Sequence, residues 1–254
     1  MPIEVALARE SRGELGVHPV VSAREFGVEA FVTDRSGGVS EAPYDTLNLA
    51  SHVGDDVGRV SENRRRLAQG CGIDPEHLVI VRQVHSNDVL EVSGPVEGGE
   101  ADALVSSTGG LALAVLVADC VPVLLVDEAS PRFGVVHAGW RGLAAGVLGA
   151  ALSRFESPAS VRVFLGPSIS PAAYQVGPEV ARHFTSVPGA LLADQGDRSR
   201  LDLRRVAAAQ LIELGIADGS IEVSRQATDG GATFFSDRAA RPCGRFALVA
   251  RRAS

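Results

Sequence analysis

Lysine is absent from this chain of 254 residues, and all 24 basic residues are arginine. The absence excludes Schiff-base chemistry, a lysine anchor for pyridoxal phosphate and the lysine of a Walker-type phosphate loop. An anion handled by this protein must therefore be held by arginine side chains, by backbone N–H groups or by a metal ion.

Cysteine and methionine are also scarce. The three cysteines, Cys71, Cys120 and Cys243, are far apart and odd in number, which argues against a disulfide framework and predicts a reducing, cytoplasmic location. Met1 is the single methionine, so a blue-copper centre with an axial methionine has no other residue to supply that ligand.

Long hydrophobic segments are missing too. The longest apolar run, residues 111–126, is too short for a membrane span and is interrupted by Asp119 and Pro122, which favours two buried strand halves. The first sixteen residues carry acids and have no apolar stretch typical of a signal peptide, so neither membrane insertion nor export is expected. The formal net charge of -7 argues against sequence-independent binding to the phosphates of nucleic acid.

What remains is an ordinary globular composition, 45% hydrophobic and 22% charged, in a chain long enough for a large core. Strand and helix patterns alternate without a linker, so we expect one α/β (α+β) domain over residues 1–254. The apolar segments around Cys120 and His137 indicate strands covered on both faces. Strands at both ends of the chain favour layered mixed sheets flanked by helices. Helices are predicted after Asp56 and over residues 142–155 and 201–214, and a strand over residues 77–92, broken at His85.

Two histidines and one cysteine lie where these strands end. His85, Cys120 and His137 are suitable zinc ligands, and three protein ligands leave the fourth tetrahedral position open, as in catalytic zinc sites. Spacing alone does not bring the three together. The alternative is that Cys120 is a core residue and each histidine a hydrogen-bonded structural one.

Five further residues are candidates for chemistry. Arg141 follows His137 in HAGWRG, a strand-to-helix junction where helix N–H groups and a guanidinium favour an anion; the alternative is a tight glycine turn with Trp140 in the core. Asp119 is a carboxylate in an apolar strand, where it would orient a ligand histidine, accept a proton or simply pair with a neighbour. Arg35, Arg238 and Asn48 lie in glycine- and serine-rich or turn segments, as substrate-binding groups or ordinary surface residues.

Taken together, several segments resemble the laccase-domain proteins, also known as the multicopper polyphenol oxidase-like or purine nucleoside phosphorylase family. The resemblance covers nearly the whole chain and is carried in order by TDRSGGVS, YDTLNLASHVGDD, ENRRRL, RQVHSNDV, EADALVSS, ADCVPVLLVD, HAGWRGLAAGVL, GPSISPAAYQVG and FSDRAARPCGR. It implies that His85, Cys120 and His137 are metal ligands. It also implies a fold similar to the four-layer arrangement of some cysteine hydrolases and toxins.

Departures from the family lie near the end of the chain. Ala227-Thr228 replaces a usual Cys-Thr pair, and Ser236-Asp237-Arg238-Ala239 replaces a usual Ser-Tyr-Arg-Arg. Arg238 retains the first arginine of that motif and is a candidate catalytic residue. The lost aromatic residue and second arginine affect the expected substrate preference.

The resemblance implies a zinc-dependent enzyme that cleaves adenosine, inosine, guanosine or methylthioadenosine with phosphate, giving the base and ribose 1-phosphate. Zinc with Arg141 and Arg238 would hold the phosphate, while Asn48 and Arg35 would bind substrate. Hydrolytic deamination of adenosine is a second expected activity, although the P-C-x-x-C motif of zinc deaminases is absent.

Two other functions remain open. Cys120 would be a nucleophile with His137 or His85 as its base, in an amide hydrolase acting on a cell-wall precursor peptide. Alternatively, copper would replace zinc in a polyphenol oxidase, as one family name suggests, although the six histidines include no His-x-His pair for a multicopper cluster.

Overall fold

Sixteen short strands and five α-helices form the regular structure of residues 1–96 and 98–253, the part of the chain that this computed structural model describes. The strands are β1 (Ile3–Val5), β2 (Glu10–Arg12), β3 (Leu15–Pro19), β4 (Val28–Thr33), β5 (Leu78–Val79), β6 (Val89–Glu91), β7 (Ala103–Ser106), β8 (Ala112–Val117), β9 (Val121–Asp127), β10 (Phe133–Ala138), β11 (Val161–Leu165), β12 (Gln175–Val176), β13 (Leu191–Ala193), β14 (Ser199–Leu201), β15 (Ile221–Ser224) and β16 (Phe246–Arg252). The helices are α1 (Val57–Gly70), α2 (Trp140–Ala145), α3 (Val147–Leu152), α4 (Pro178–Ala181) and α5 (Leu203–Glu213).

The strands form two large mixed sheets and one small one. The first sheet has the order β1-β15-β11-β9-β10-β7-β6, and the second has the order β2-β3-β4-β16-β8-β5. A small antiparallel sheet contains β12, β14 and β13. Parallel and antiparallel pairs occur in both large sheets, and each sheet also pairs strands that are distant in the sequence, such as β5 with β8 and β1 with β15.

Alternating side chains divide the core into three apolar layers. On β9, Val123 and Leu125 face α3 and α5, while Leu124 and Val126 face the second large sheet. Beyond that sheet, a third cluster includes Leu67 of α1. The result is four layers, helix, sheet, sheet and helix, held by side chains whose full burial contributes about 1.5–3 kcal/mol each for Leu or Phe. The predicted layered α/β fold is confirmed, whereas the extent of the domain, 1–254, stays a prediction.

The apolar run over residues 111–126 splits into two strands, as predicted, but the two strands lie in different sheets. β8 belongs to the second sheet and β9 to the first, so residues 118–120 cross from one sheet to the other. The crossing brings Asp119 and Cys120 to one end of the two-sheet core.

Two predicted elements were wrong in extent. The strand expected over residues 77–92 is limited to β5 and β6, because backbone N–H groups of residues 84–86 donate to the carboxylate of Asp102 rather than to a strand. The helix expected over residues 142–155 begins at Trp140 and is divided into α2 and α3 by Gly146, which has a φ of 83°. The helices after Asp56 and near residues 201–214 are present as α1 and α5, with Asp56 and Asp202 as N-caps.

Within residues 1–96 and 98–253, no helix combines the length and the apolar character that crossing a membrane requires.

Candidate metal centre

The side chains of His85, Cys120 and His137 meet at one end of the two large sheets. His85 lies in the loop between β5 and β6, Cys120 in the crossing between β8 and β9, and His137 near the end of β10. Their ligand atoms all lie within 4.8 Å of one another, and His85 Nε2 is 4.0 Å from Cys120 Sγ. The two imidazole rings pack edge to face, with centroids 4.7 Å apart. Three residues separated by up to 52 positions in the sequence therefore form one cluster.

The cluster has the donor atoms of a zinc site with an open position. Tetrahedral zinc with ordinary bond lengths places neighbouring ligand atoms about 3.3–3.6 Å apart, so ligand atoms up to 4.8 Å apart would approach one another by at most about 1.5 Å around an ion. Small rotations of the side chains achieve such a change. The residues present therefore fit zinc, and the binding and identity of a metal stay predictions.

Gly139 allows this close approach. A Cβ atom at this position would lie 2.8 Å from Cys120 Sγ and 3.1 Å from His85 Cδ2, distances that no ordinary packing tolerates. Gly139 is also the N-cap of α2, directly after His137 and Ala138. The first glycine of HAGWRG therefore provides space for the cluster as well as a turn.

The backbone is strained at two positions beside the cluster. His85 has a φ of 62° and Asp119 a φ of 88°, in the left-handed region that non-glycine residues rarely adopt. Such conformations cost about 1–3 kcal/mol each and persist where surrounding contacts hold them. The turn at Asp119 also removes the strict alternation of a strand, so that Asp119 and Cys120 line the same pocket.

Asp102 supplies the contacts that hold His85 and His137. Its carboxylate is fully buried, accepts hydrogen bonds from the backbone N–H groups of Val84, His85 and Ser86, and lies 2.8 Å from His137 Nδ1. Burial opposes its ionisation, but the contact with His137 and the Ser86 bonds lower the pKa of Asp102 to about 2. One carboxylate thus orients one candidate ligand and fixes the loop of another.

Cys120 and His137 also perturb each other. Burial opposes ionisation of the thiol, but the charge and hydrogen bond of His137, with a contribution from His85, lower the pKa of Cys120 to about 6. Burial likewise opposes protonation of His137, but Cys120 and Asp102 raise its pKa to about 9. Thiolate is the form that binds metals, and a metal on His137 would displace its proton.

Sequence reasoning missed Asp102 and considered its role for Asp119. The carboxylate of Asp119 accepts a hydrogen bond from the Thr228 hydroxyl at 2.6 Å and from the backbone N–H of Arg238 at 2.7 Å, and it orients neither histidine. The signal was the same for both residues, an acid in an apolar segment. The spatial neighbours that distinguish them were not visible in the sequence.

A cavity of about 530 Å³ lies over the cluster. Arg141 and Arg238 line it, with their guanidinium groups 4.4 Å and 5.1 Å from the ring centres of Trp140 and Tyr174. Within residues 1–96 and 98–253, neither arginine forms a salt bridge. Burial, and to a smaller extent the negative charge of the nearby Cys120, raises the pKa of Tyr174 well above its ordinary value, so its hydroxyl stays neutral. The cavity therefore offers two cations and two aromatic rings beside the candidate metal centre.

Arg35 and Asn48 do not line this cavity. Arg35 donates to the backbone and the carboxylate of Asp45, and it lies over the ring of Phe235. Asn48 is fully buried, and its amide bonds to Ala50 and Asp55 and accepts the backbone N–H of Arg245. Both side chains thus hold loops through these contacts, and their role in substrate binding stays a prediction.

A layered α/β protein with an open cluster of two histidines and one cysteine at the end of two sheets is thus the class that fold and site define. The model of the multi-copper polyphenol oxidoreductase laccase family matches residues 29–253, and the chain belongs to this family.

Its relatives cover nearly the same length. The purine nucleoside phosphorylase YfiH of Escherichia coli (strain K12) is 40% identical over 226 residues, which cover 87% of this chain and 92% of the relative. The purine nucleoside phosphorylase ORF3 of Streptomyces griseus is 40% identical over 238 residues, covering 90% and 94%. Among solved structures, YlmD from Geobacillus stearothermophilus superposes with a TM-score of 0.91 at 30% identity, covering 98% of this chain and 99% of that one.

Proposed function

We propose that this protein is a zinc-dependent purine nucleoside phosphorylase that converts adenosine, inosine, guanosine or methylthioadenosine and phosphate into the base and ribose 1-phosphate. The observation that carries the proposal is the convergence of His85, Cys120 and His137 under a cavity with two arginines that form no salt bridge within the described residues 1–96 and 98–253. Relatives about 40% identical over most of their length bear the name purine nucleoside phosphorylase, which supports the same activity here.

Arg141 and Arg238 are suited to hold phosphate. Each guanidinium carries several N–H donors in a planar fork, which matches the oxygens of a phosphate. Arg238 uses one of them for the backbone carbonyl of Gln175, at 2.9 Å, and this bond fixes its direction. Arg141 lies over the Trp140 ring, which restricts its motion. We expect these two residues to bind the attacking anion in the orientation that the reaction needs.

In the proposed reaction, a phosphate oxygen forms a bond to the anomeric carbon of the ribose, and the bond from that carbon to the base nitrogen breaks. The electron pair leaves with the base, which takes up the proton that hydrogen phosphate loses as its oxygen forms the new bond. The two arginines place the phosphate next to the ribose, and the Trp140 and Tyr174 rings in the cavity wall provide apolar contact area for the nucleoside. When bound, zinc would supply Lewis-acid stabilisation of negative charge. Hydrolytic deamination of adenosine at the same centre stays a prediction.

The test is metal analysis of the purified protein combined with an assay of adenosine plus phosphate, following ribose 1-phosphate and inosine separately. We expect close to one zinc per chain, and we expect His85→Ala and Cys120→Ala to lose zinc and phosphorolysis while keeping the fold. His77→Ala, which removes a histidine outside the cavity, serves as the matched control. Undiminished phosphorolysis by a metal-free variant would contradict the proposal.

A second candidate is a cysteine amide hydrolase acting on a cell-wall precursor peptide. The specific observation that favours it is the series Asp102, His137 and Cys120, in which the acid orients a histidine beside a thiol. The same sulfur does not serve easily as a metal ligand and a free nucleophile. Alkylation of Cys120 in the protein as purified distinguishes the two: protection until a chelator is added favours the phosphorylase, and rapid alkylation without chelator favours the hydrolase.

Copper-dependent oxidation of phenols, which the family description suggests, is not part of our proposal. Met1 is 98% exposed and its amino group donates a hydrogen bond to Asp218, so its sulfur offers no axial ligand to the cluster. Zinc remains the metal that the donor set fits best.

A further inference from the structure

Asp237 lines the cavity and pairs with two arginines that also line it. Its side chain is 20% exposed, Oδ1 lies 2.9 Å from Nη2 of Arg245, and Oδ2 contacts Arg241. Burial opposes ionisation of this carboxyl, but the hydrogen bond and charge of Arg241 with the charge of Arg245 keep its pKa below the ordinary value. Asp237 is therefore an anion in the wall of a cavity that is proposed to bind anions.

The two partners of Asp237 differ in how they are held. Nη1 of Arg245 also donates to the carbonyls of Cys243 and Gly244, each at 3.0 Å, so Arg245 stays in place without the carboxylate. The side chain of Arg241 is 77% exposed, and Asp237 is the partner that the structure shows for it. Asp237 thus pairs with one cation that other contacts also hold, Arg245, and with one exposed cation, Arg241.

The charge of the cavity depends on this residue. Four arginines line the cavity, Arg141, Arg238, Arg241 and Arg245, and two carboxylates oppose them, Asp119 and Asp237. The carboxylate of Asp119 accepts hydrogen bonds from Thr228 and from a backbone N–H group. The carboxylate of Asp237 instead accepts hydrogen bonds from Arg241 and Arg245 and offsets their positive charge. Among the arginines that the described part of the chain places around the cavity, Arg141 and Arg238 are then left to hold an anion, which suits one small anion better than two.

We propose that Asp237 is a specificity-determining residue that limits the cavity to one phosphate with an uncharged nucleoside and rejects nucleoside 5′-phosphates. This inference rests on the proposed function. The carboxylate of Asp237 would repel the negative charge of a second phosphate group. The nearest arginine N–H donors, those of Arg241 and Arg245, are already bonded to that carboxylate. A neutral ribose carries no charge for Asp237 to repel, so nucleoside binding is insensitive to it.

The test measures ligand binding rather than turnover. Trp140 is the only tryptophan of the chain and lines the cavity, so its fluorescence, excited near 295 nm, reports ligand binding there. Wild type and Asp237→Asn are titrated with adenosine, adenosine 5′-monophosphate and inorganic pyrophosphate. In Asp237→Asn we expect the two anions to bind roughly tenfold more tightly, the effect of one unit charge a few ångströms away in a partly screened site. Adenosine affinity should change less than about twofold, because adenosine is uncharged.

Asp218→Asn is the matched control, because it removes one acid outside the cavity, where Asp218 pairs with the N-terminus. It should leave all three affinities unchanged. Arg241→Gln provides a second test on an exposed side chain whose loss costs little stability. It should weaken pyrophosphate binding several-fold, and the double variant Asp237→Asn with Arg241→Gln should bind close to wild type.

Equal anion affinities in wild type and Asp237→Asn overturn the inference, as does any lack of anion binding in both. If Asp237→Asn does not fold, unchanged pyrophosphate affinity in Arg241→Gln overturns it. If adenosine binds no variant while pyrophosphate binds Asp237→Asn more tightly, charge selection by Asp237 is supported and the proposed phosphorylase function fails. The two failures are therefore distinguishable.

Discussion

Asp102 is the residue on which the geometry of the candidate metal centre depends most. Its carboxylate accepts hydrogen bonds from three backbone N–H groups and a serine hydroxyl of the His85 loop, and it contacts His137 Nδ1. These partners fix the strained backbone of His85, whose φ is 62°, and the ring of His137. A buried charge with this many partners costs less than its burial alone would suggest, because each lone pair is satisfied.

Asp102→Asn should lower zinc affinity by about 10–100-fold, since the amide replaces one acceptor oxygen with donors that face N–H groups. Competition with a chromophoric chelator measures the affinity. Asp88→Asn, an exposed acid on the same loop, is the control and should bind zinc like wild type. An Asp102→Asn protein with unchanged affinity would show that the carboxylate does not organise the centre.

At the scale of elements, hydrogen bonds near the break between α2 and α3 join α2 to a neighbouring loop and helix. Gly146 ends α2 in the left-handed conformation. Two carbonyls near that end accept hydrogen bonds from outside the helix: Asn87 donates to Ala145 at 3.0 Å, and Gln210 of α5 donates to Leu143 at 3.1 Å. The break thus ties α2 to the loop of His85 and to α5.

Two glycine substitutions in this region should have opposite effects on stability. Gly146→Ala should lower the free energy of unfolding by about 1–2 kcal/mol, because alanine pays for the left-handed conformation even though its Cβ meets no atom within 4 Å. Gly149→Ala, inside α3 with ordinary contact distances of 3.6 Å and more to Leu214, should raise it by about 0.5–1 kcal/mol. Urea unfolding of both variants measures the difference, and equal shifts would show that Gly146 carries no conformational constraint.

At the scale of the whole molecule, the candidate metal centre lies where the two large sheets are connected. His137 belongs to the first sheet, His85 to the loop leaving the second, and Cys120 to the crossing between them. An ion held by all three would therefore join the two sheets. A ligand that binds only the folded state stabilises it in proportion to its occupancy.

Removal of zinc by a chelator should therefore lower the melting temperature by about 5–10 °C, the shift expected for a ligand present at about 100 times its Kd in a chain of this size. Differential scanning calorimetry with and without chelator measures the shift. His85→Ala should melt at the lower temperature in both conditions. A chelator effect of the same size in His85→Ala would place the stabilising metal elsewhere.

Sequence patterns were reliable for segments whose partners are local. α1 and α5 begin at acids that cap their own helix, Asp56 and Asp202, and the apolar run divides at Asp119. Patterns failed where a tertiary contact replaced a local one. Residues 84–86 lack strand structure since the carboxylate of Asp102 accepts their N–H groups, and α2 and α3 are separate since Gly146 adopts a positive φ.

The sequence by itself determined the chemistry that is available: no lysine, a small set of thiol and imidazole donors, and arginine for every anion. It also determined the buried strands, because apolar periodicity acts over a few residues. The tertiary structure alone decided that His85, Cys120 and His137 converge, that Asp102 rather than Asp119 orients a histidine, and that Asn48 and Arg35 stay outside the cavity. These outcomes depend on which strands pair and in what register, and strand pairing joins residues far apart in the sequence.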